Sequence, residues 1–158
     1  MILSDRKCWV FGDDQNTDGL HPPRFFSLDA EVVKRGLFAG IDESYQAQIT
    51  PGDIVVAGSN FGCGSSREVS IRSFLLNGIA AVVAVDFARI FFRSATNLGL
   101  PCLTFKNPED VAHFVQGAKA TVNLQTHQLI SDRGVAELNP PGAFVKRIWD
   151  AGGLLELL

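Results

Sequence analysis

The sequence predicts an α/β fold built on a mixed sheet. Short apolar strand candidates alternate with helix candidates through the middle of the chain, paired β segments lie toward its ends, and glycine or proline punctuates the joins. The 158 residues have the length of one domain, spanning 1–158. A chain of that size buries roughly 68–70% of its unfolded surface, enough for a core without disulfide or metal staples.

The elements follow in order. KCWVF (7–11) reads as a strand, β-rich and stopped by Gly12-Asp13. The next segment, DDQNTDGLHPPRFF, is polar and irregular, and Pro22-Pro23 forbid a regular helix there. Residues 29–38 read as a helix with an aspartate start and glycines 36 and 40 near its end. Pro51-Gly52-Asp53 is a turn before a buried strand at 54–57. GSNFGCGSSRE (58–68) follows as a loop, then a helix over 67–76 with Ile71, Phe74, Leu75 and Gly78 on one face. The run 79–85, IAAVVAV, is a short buried strand. Asp86 is a candidate cap for a helix reaching Asn97, ended by Gly99 and Pro101. A strand at 102–105, a helix at 108–115, a hairpin of 120–124 with 128–131 about the turn 125–127, and a helix at 144–151 ended by Gly152-Gly153 complete the chain.

Composition excludes several roles. Formal charge is −3 with no block of like charges, which argues against nucleic acid as a partner, because phosphate binding needs a basic stripe. Cys8, Cys63 and Cys102 are odd in number and widely spaced without a CxxC, so neither a disulfide framework nor a metal or cluster site is spelled out. The longest apolar run is far too short to cross a membrane, and the N-terminus lacks the pattern of a secretory signal. A reducing cytoplasm is the expected setting.

Two clusters carry chemistry. In the loop at 58–68, glycines 58, 62 and 64 let the backbone aim N–H groups at an anion at a helix start. Nucleotide-loop patterns fail, on the absent lysine for one and on spacing for the other. Arg67 adds a planar, permanently charged fork suited to a carboxylate. The competing reading is structural. Ser65-Ser66-Arg67-Glu68 fits a capping box, and on spacing alone that reading is preferred, because caps far outnumber catalytic serines. A lone Cys63 ordinarily packs behind such a loop. The second cluster is Asp13, Asp14, Asn16, Thr17, Asp18, His21 and Arg24, either a solvated loop of Asx turns or a site segment leaving a strand end. Spacing does not say whether the two clusters meet. His21 by itself reads as a turn or surface histidine, and His113 and His127 lack metal-ligand spacing.

At these clusters the chain resembles the small subunit of isopropylmalate dehydratase, in the aconitase superfamily. Asp14-Gln15-Asn16-Thr17-Asp18-Gly19-Leu20-His21-Pro22-Pro23-Arg24-Phe25 is similar to that family's D-x-x-x-T-D-x-I-I-P-x-R-[FY], with one residue of slack at its start. GSNFGCGSSREVS resembles G-x-N-F-G-x-G-S-S-R-E-H-A, and FARIFFRSATNLGL resembles F-A-x-I-F-x-x-N-x-x-N-x-G-L. The ending AGGLLELL also looks like the family's close.

The resemblance implies a swivelling β/β/α domain, a mixed central sheet flanked by helices, that closes over a large subunit. It implies a hydro-lyase that moves a hydroxyl between neighbouring carbons of a hydroxy acid, here 3-isopropylmalate to 2-isopropylmalate in leucine biosynthesis. No cofactor is expected on this chain, and a [4Fe–4S] cluster is expected on the large-subunit partner of a heterodimer or heterotetramer. Ser65 would be the base, Ser66 and Arg67 would bind a substrate carboxylate, and Asp18 and Arg24 would line the same site. Phe25, Phe26, Ser27 and Leu28 would form the specificity segment, whose lack of a cation favours an apolar substituent on a small dicarboxylate. A serine is a poor base in water and needs its alkoxide stabilised by oriented N–H groups, a helix start and a cation; the loop with Arg67 supplies those parts, and with the resemblance the catalytic reading of Ser65 overtakes the capping one. Four positions depart from the pattern: Val69 for His, Ser70 for Ala, Ser94 for Asn and His21 for Ile. They leave open a homoaconitase or a methylmalate- or dimethylmalate-type dehydratase, and a non-catalytic assembly module.

Overall fold

In a computed structural model that describes residues 2–64 and 67–158, the first strand is twice the expected length. β1 runs Ile2–Phe11. Its polar first half pairs antiparallel with β5 (Lys119–Asn123), and only Cys8–Phe11 pairs parallel with β2 (Ile54–Ala57). The half that sequence reasoning missed therefore owes its strand state to a partner more than a hundred residues away, across a register shift between Leu3 and Arg6.

The full sheet has the order β4-β3-β2-β1-β5-β6-β7, with β3 at Ala81–Ala84, β4 at Cys102–Thr104, β6 at Gln128–Ser131 and β7 at Gly134–Glu137. β1 to β4 are parallel, and β5 to β7 form an antiparallel meander on the other side of β1. The sheet curls until its two edges meet. Phe105 bridges Leu138, the Lys106 N–H reaches the Glu137 carbonyl at 2.9 Å, and the Asn139 N–H reaches the Thr104 carbonyl at 2.9 Å. Closure removes edges that would otherwise be open to other strands. β7, short and opened by a glycine, carries no strand signal of its own and is held by β6.

The period-2 alternation of the parallel strands sorts two cores. Cys8, Ile54, Val56, Ala81, Val83 and Leu103 face the inside of the curl with Val122, Leu129, Ala136 and Leu138. Trp9, Phe11, Val55, Ala57, Val82 and Ala84 face the helical layer. Burial on both faces explains why these strands read as unbroken apolar runs. The helical layer comprises α1 (Thr17–Leu20), α2 (Ala30–Arg35), α3 (Glu68–Leu76) and α4 (Arg89–Asn97). Thus helices flank one face of the mixed sheet, while its other face closes on itself and is joined by Trp149 of α5 (Ala143–Ala151). Phe61, Phe74 and Phe91 meet edge to face at centroid separations of 5.2–6.3 Å, and burying each stabilises the layer by about 1.5–3 kcal/mol.

Several boundaries are corrected. α2 stops at Arg35, because Phe38 turns to φ 65° and its N–H is taken by the Leu20 carbonyl at 2.7 Å. Asp86 does not cap α4; its carboxylate accepts the Asn60 N–H at 2.5 Å, and the helix opens from Ala88. Residues 108–113 form a 3₁₀ rather than an α-helix, and a short α6 (Leu154–Leu157) follows the left-handed Gly152.

Candidate active site

Registers pair Phe11 with Ala57 and Ala57 with Ala84, so β1, β2 and β3 end side by side at one edge. Everything that leaves those strand ends converges there. The segment after β1 runs beside the glycine loop after β2. The Gly58 N–H reaches the Gly12 carbonyl at 3.2 Å and the Asp14 N–H the Ser59 carbonyl at 2.8 Å. The Gln15 carbonyl takes the N–H groups of both Gly62 and Cys63, and the Thr17 N–H returns to the Cys63 carbonyl. Side chains reinforce the seam: Asp13 Oδ1 accepts the Ser59 N–H at 2.8 Å, and Asn60 Nδ2 donates to Asp14 Oδ1 at 3.0 Å. The segment after β3 joins through Phe61, whose N–H bonds the Asp86 carbonyl and whose own carbonyl accepts the Ala88 N–H. The three sequence motifs are thus one place in space.

The glycines are required by close approach. Gly62 has φ 83°, and a Cβ there would lie 2.3 Å from Phe91 Cγ; Gly64 has φ 85°, and its Cβ would lie 2.6 Å from Asn16 Nδ2. A left-handed backbone and absent side chains let the loop tuck against α4 and the N-cap of α1.

The loop delivers the chain to the start of α3, where Arg67 occupies the N-cap position and Glu68 is the first helical residue. That register places Glu68 two residues earlier in the helix than a capping box requires, and its carboxylate pairs with Arg72 at 2.9 Å. Ser65 and Ser66, the proposed base and carboxylate ligand, lie outside the described residues. Arg67 is exposed and makes no ion pair among the described residues; its guanidinium lies over the Phe26 ring, 5.5 Å from the centroid. Asp18 accompanies it on the first segment. Its N–H is held by Asn16 Oδ1 at 2.8 Å, and its Oδ1 is buried with no hydrogen-bond partner among the described residues. Arg24 sits on the exposed side over Phe25, paired with Glu43 at 3.0 Å.

Next to these residues lies a groove of about 290 Å³ between α2 and α3. Ser27 and Leu28 of the specificity segment line it with Ala30, Val33, Val69 and Leu75. Its cation, Arg72, is the one held by Glu68.

Two residues escaped sequence reasoning. His21 is fully buried, not a surface histidine, with Nδ1 3.1 Å from Ser70 Oγ and Nε2 3.0 Å from the Val33 carbonyl. The ring stacks on Phe26 at 5.5 Å and 18°. Burial pushes its pKa below the usual value, opposed by the Val33 bond and the Asp18 charge. The available signal was that His21 and Ser70 both depart from the family pattern.

Among the described residues no group of three His, Cys, Asp or Glu side chains is placed to hold a metal. Cys8 faces the inner core and Cys102 the helical one, and burial pushes both thiols up, Cys8 to about 12 with the Asp53 charge adding to it. The two thiols thus lie on opposite faces of the sheet and cannot ligate one cluster together. No helix among the described residues is long and apolar enough to cross a membrane.

Comparison with known proteins agrees with this geometry. Residues 29–108 match the family model of the aconitase C-terminal domain. A 3-isopropylmalate dehydratase small subunit of Methanopyrus kandleri is 41% identical over 155 residues, covering 96% of this chain and 90% of that protein. One from Thermodesulfovibrio yellowstonii is 37% identical, covering 95% and 90%. The crystal structure of a 3-isopropylmalate dehydratase from Methanocaldococcus jannaschii superposes with a TM-score of 0.91 at 33% identity, covering 99% of this chain and 93% of that one. With half of the chain matched by the family model and nearly all of it covered by these relatives, the chain belongs to the aconitase C-terminal domain family, among the small subunits of 3-isopropylmalate dehydratase.

Proposed function

We propose that this chain is the small subunit of a hydro-lyase that interconverts 3-isopropylmalate and 2-isopropylmalate through the enoate, in leucine biosynthesis, and that it works only with a large subunit. The observation that carries the reading is the backbone seam that joins the Asp18 segment to the glycine loop at the strand ends, with the loop leading to Arg67, which has no ion pair among the described residues, at the start of α3. Small-subunit relatives supply the activity.

In this reading Ser65 takes the proton from the substrate carbon next to a carboxylate. The electron pair left there forms the double bond as hydroxide departs from the neighbouring carbon; in the reverse sense, hydroxide adds to either carbon of the double bond and the proton returns to the other. The helix start and Arg67 stabilise the serine alkoxide, and Arg67 grips the carboxylate with Ser66; contrary to the sequence expectation, the N–H groups of residues 58–63 take no part, because the Gly12, Asp13, Gln15 and Asp86 oxygens already hold them. Asp18, whose buried Oδ1 has no hydrogen-bond partner among the described residues, takes a donor from substrate or partner, because a buried acceptor left alone is costly. Arg24 joins only by exchanging Glu43 for substrate. In this reading the group that takes the hydroxide is a [4Fe–4S] cluster held by the large subunit, as the resemblance to the small-subunit relatives implies.

The apolar groove beside Ser27 and Leu28 favours an alkyl malate over homocitrate, whose extra carboxylate would need a free cation. The test is co-production with a cluster-bearing large subunit from the same genome. We expect isopropylmalate turnover by the mixture, none by either chain alone, and no iron in this chain alone. A mixture that forms but is inert toward every malate homologue, with a large subunit active beside another small chain, overturns the reading in favour of an assembly module.

A further inference from the structure

His21, Phe26 and Arg67 form a stack. One face of Phe26 meets His21 at 5.5 Å with the rings 18° from parallel, and the Arg67 guanidinium lies 5.5 Å from the same ring. Phe26 is only part-buried and closes the single 3₁₀ turn, 23–25, with its N–H on the Pro23 carbonyl at 2.9 Å, a bond that holds its backbone but not the tilt of its ring. His21 is the anchored member. The Val33 carbonyl can only accept, so Nε2 carries the proton and donates to it at 3.0 Å. In the neutral ring Nδ1 is then an acceptor, and Ser70 Oγ–H donates to it at 3.1 Å. Two bonds, one to α2 and one to α3, leave the imidazole no rotation about its stem. Backbone packing tightens the seat, since a Cβ at Gly36 would lie 2.8 Å from His21 Cδ2 and 2.4 Å from Phe25 Cβ.

We infer that His21 is a positioning residue that aims Arg67 through Phe26, its ring locked between Ser70 and Val33. The inference rests on the reading of Arg67 as a substrate carboxylate ligand. An isoleucine at 21, as in the family pattern, would fill the space without either hydrogen bond and without a flat face. The two departures His21 and Ser70 are therefore one device. A chain that carries Val69 where the pattern has histidine keeps an imidazole near the start of α3 by this other route.

The test uses the complex reconstituted with the large subunit. His21→Ile and Phe26→Leu should each raise KM roughly threefold to tenfold with kcat little changed, the mark of lost binding shared by ground and transition states. Ser70→Ala should move KM the same way by less. His21→Ile placed on Arg67→Ala should add nothing, because His21 acts only through that arginine. If His21→Ile lowers thermal stability but leaves KM within about twofold, or if its effect on KM persists in the Arg67→Ala background, the inference is overturned. If Arg67→Ala itself leaves KM unmoved, the carboxylate reading fails first and takes this inference with it. Should His21→Ile not assemble, His21→Gln, which retains an amide donor and acceptor but no ring, is expected to assemble with KM raised; a wild-type KM in that variant also overturns the inference.

Discussion

His21 Nδ1 and Ser70 Oγ lie 3.1 Å apart in the interior, joining the end of α1 to the first turns of α3. Forty-nine residues separate the pair in sequence. The bond ties the strand-end segment that carries Asp18 directly to the helix that begins beside Arg67.

This pair makes stability depend on pH. His21 is held neutral by burial, with a folded pKa below the ordinary 6.5. Below 6.5 the unfolded chain binds more protons than the folded one. The stability is therefore full above about pH 6.5 and declines as pH falls from there through the lowered folded value. Thermal melts of wild type and His21→Gln from pH 8 to about pH 5 should converge toward the acid end, with the wild type losing more. Parallel curves would mean that His21 does not titrate in this range.

Ser65→Ala should lower kcat of the reconstituted complex by about two to four orders of magnitude, the usual weight of a positioned base. Stability should change little, because the N-cap position of α3 is Arg67 and Glu68 is engaged with Arg72. Normal turnover with a stability loss of about 0.5–2 kcal/mol would instead identify a cap.

Arg67→Lys should damage activity although charge is kept. A lysine offers a point charge where a carboxylate meets a fork, and its ammonium lies less well on the Phe26 face. Losing one charge-assisted bond corresponds to about 1.5–3 kcal/mol, so kcat/KM should fall at least about tenfold. Steady-state kinetics at saturating large subunit decides it.

Gly62→Ala should destabilise the fold. The position needs φ 83°, and the new methyl would land 2.3 Å from Phe91 Cγ, inside the aromatic cluster. The backbone cost is about 1–2 kcal/mol, and overpacking adds about 1–3 kcal/mol. Urea denaturation of the isolated chain measures the sum, and a loss below about 0.5 kcal/mol would show that loop and α4 are not in tight contact.

Substrate choice should follow the groove. With Leu28, Val33, Val69 and Leu75 along its walls, each buried CH₂ of an alkyl malate contributes about 0.8 kcal/mol. The ratio of kcat/KM for isopropylmalate to that for homocitrate should be well above one. A preference for homocitrate would point to Lys34 or Arg35, in the last turn of α2, as a cation that turns inward.

Local order was written in the residues. Ile54–Ala57 and the 128–131 strand came out at the expected bounds, because continuous apolar burial and turn punctuation are local signals. The glycine loop, Arg67 and the Asp18 segment were legible as candidates for the same reason: glycines, a fixed charge and acids in a short span have few other uses. Only the tertiary structure decided that these segments share one edge, through parallel pairing of strands more than twenty residues apart and a seam of backbone bonds from Gly12 to Thr17. It also decided the polar first half of β1 and the short, glycine-led β7, which become strands because a neighbour satisfies their backbone, and the closure of the curl. His21 shows the limit most sharply. The turn residues around it do not distinguish an exposed histidine from a buried one, and its role arises from acceptor and donor groups that folding brings from Val33 and Ser70.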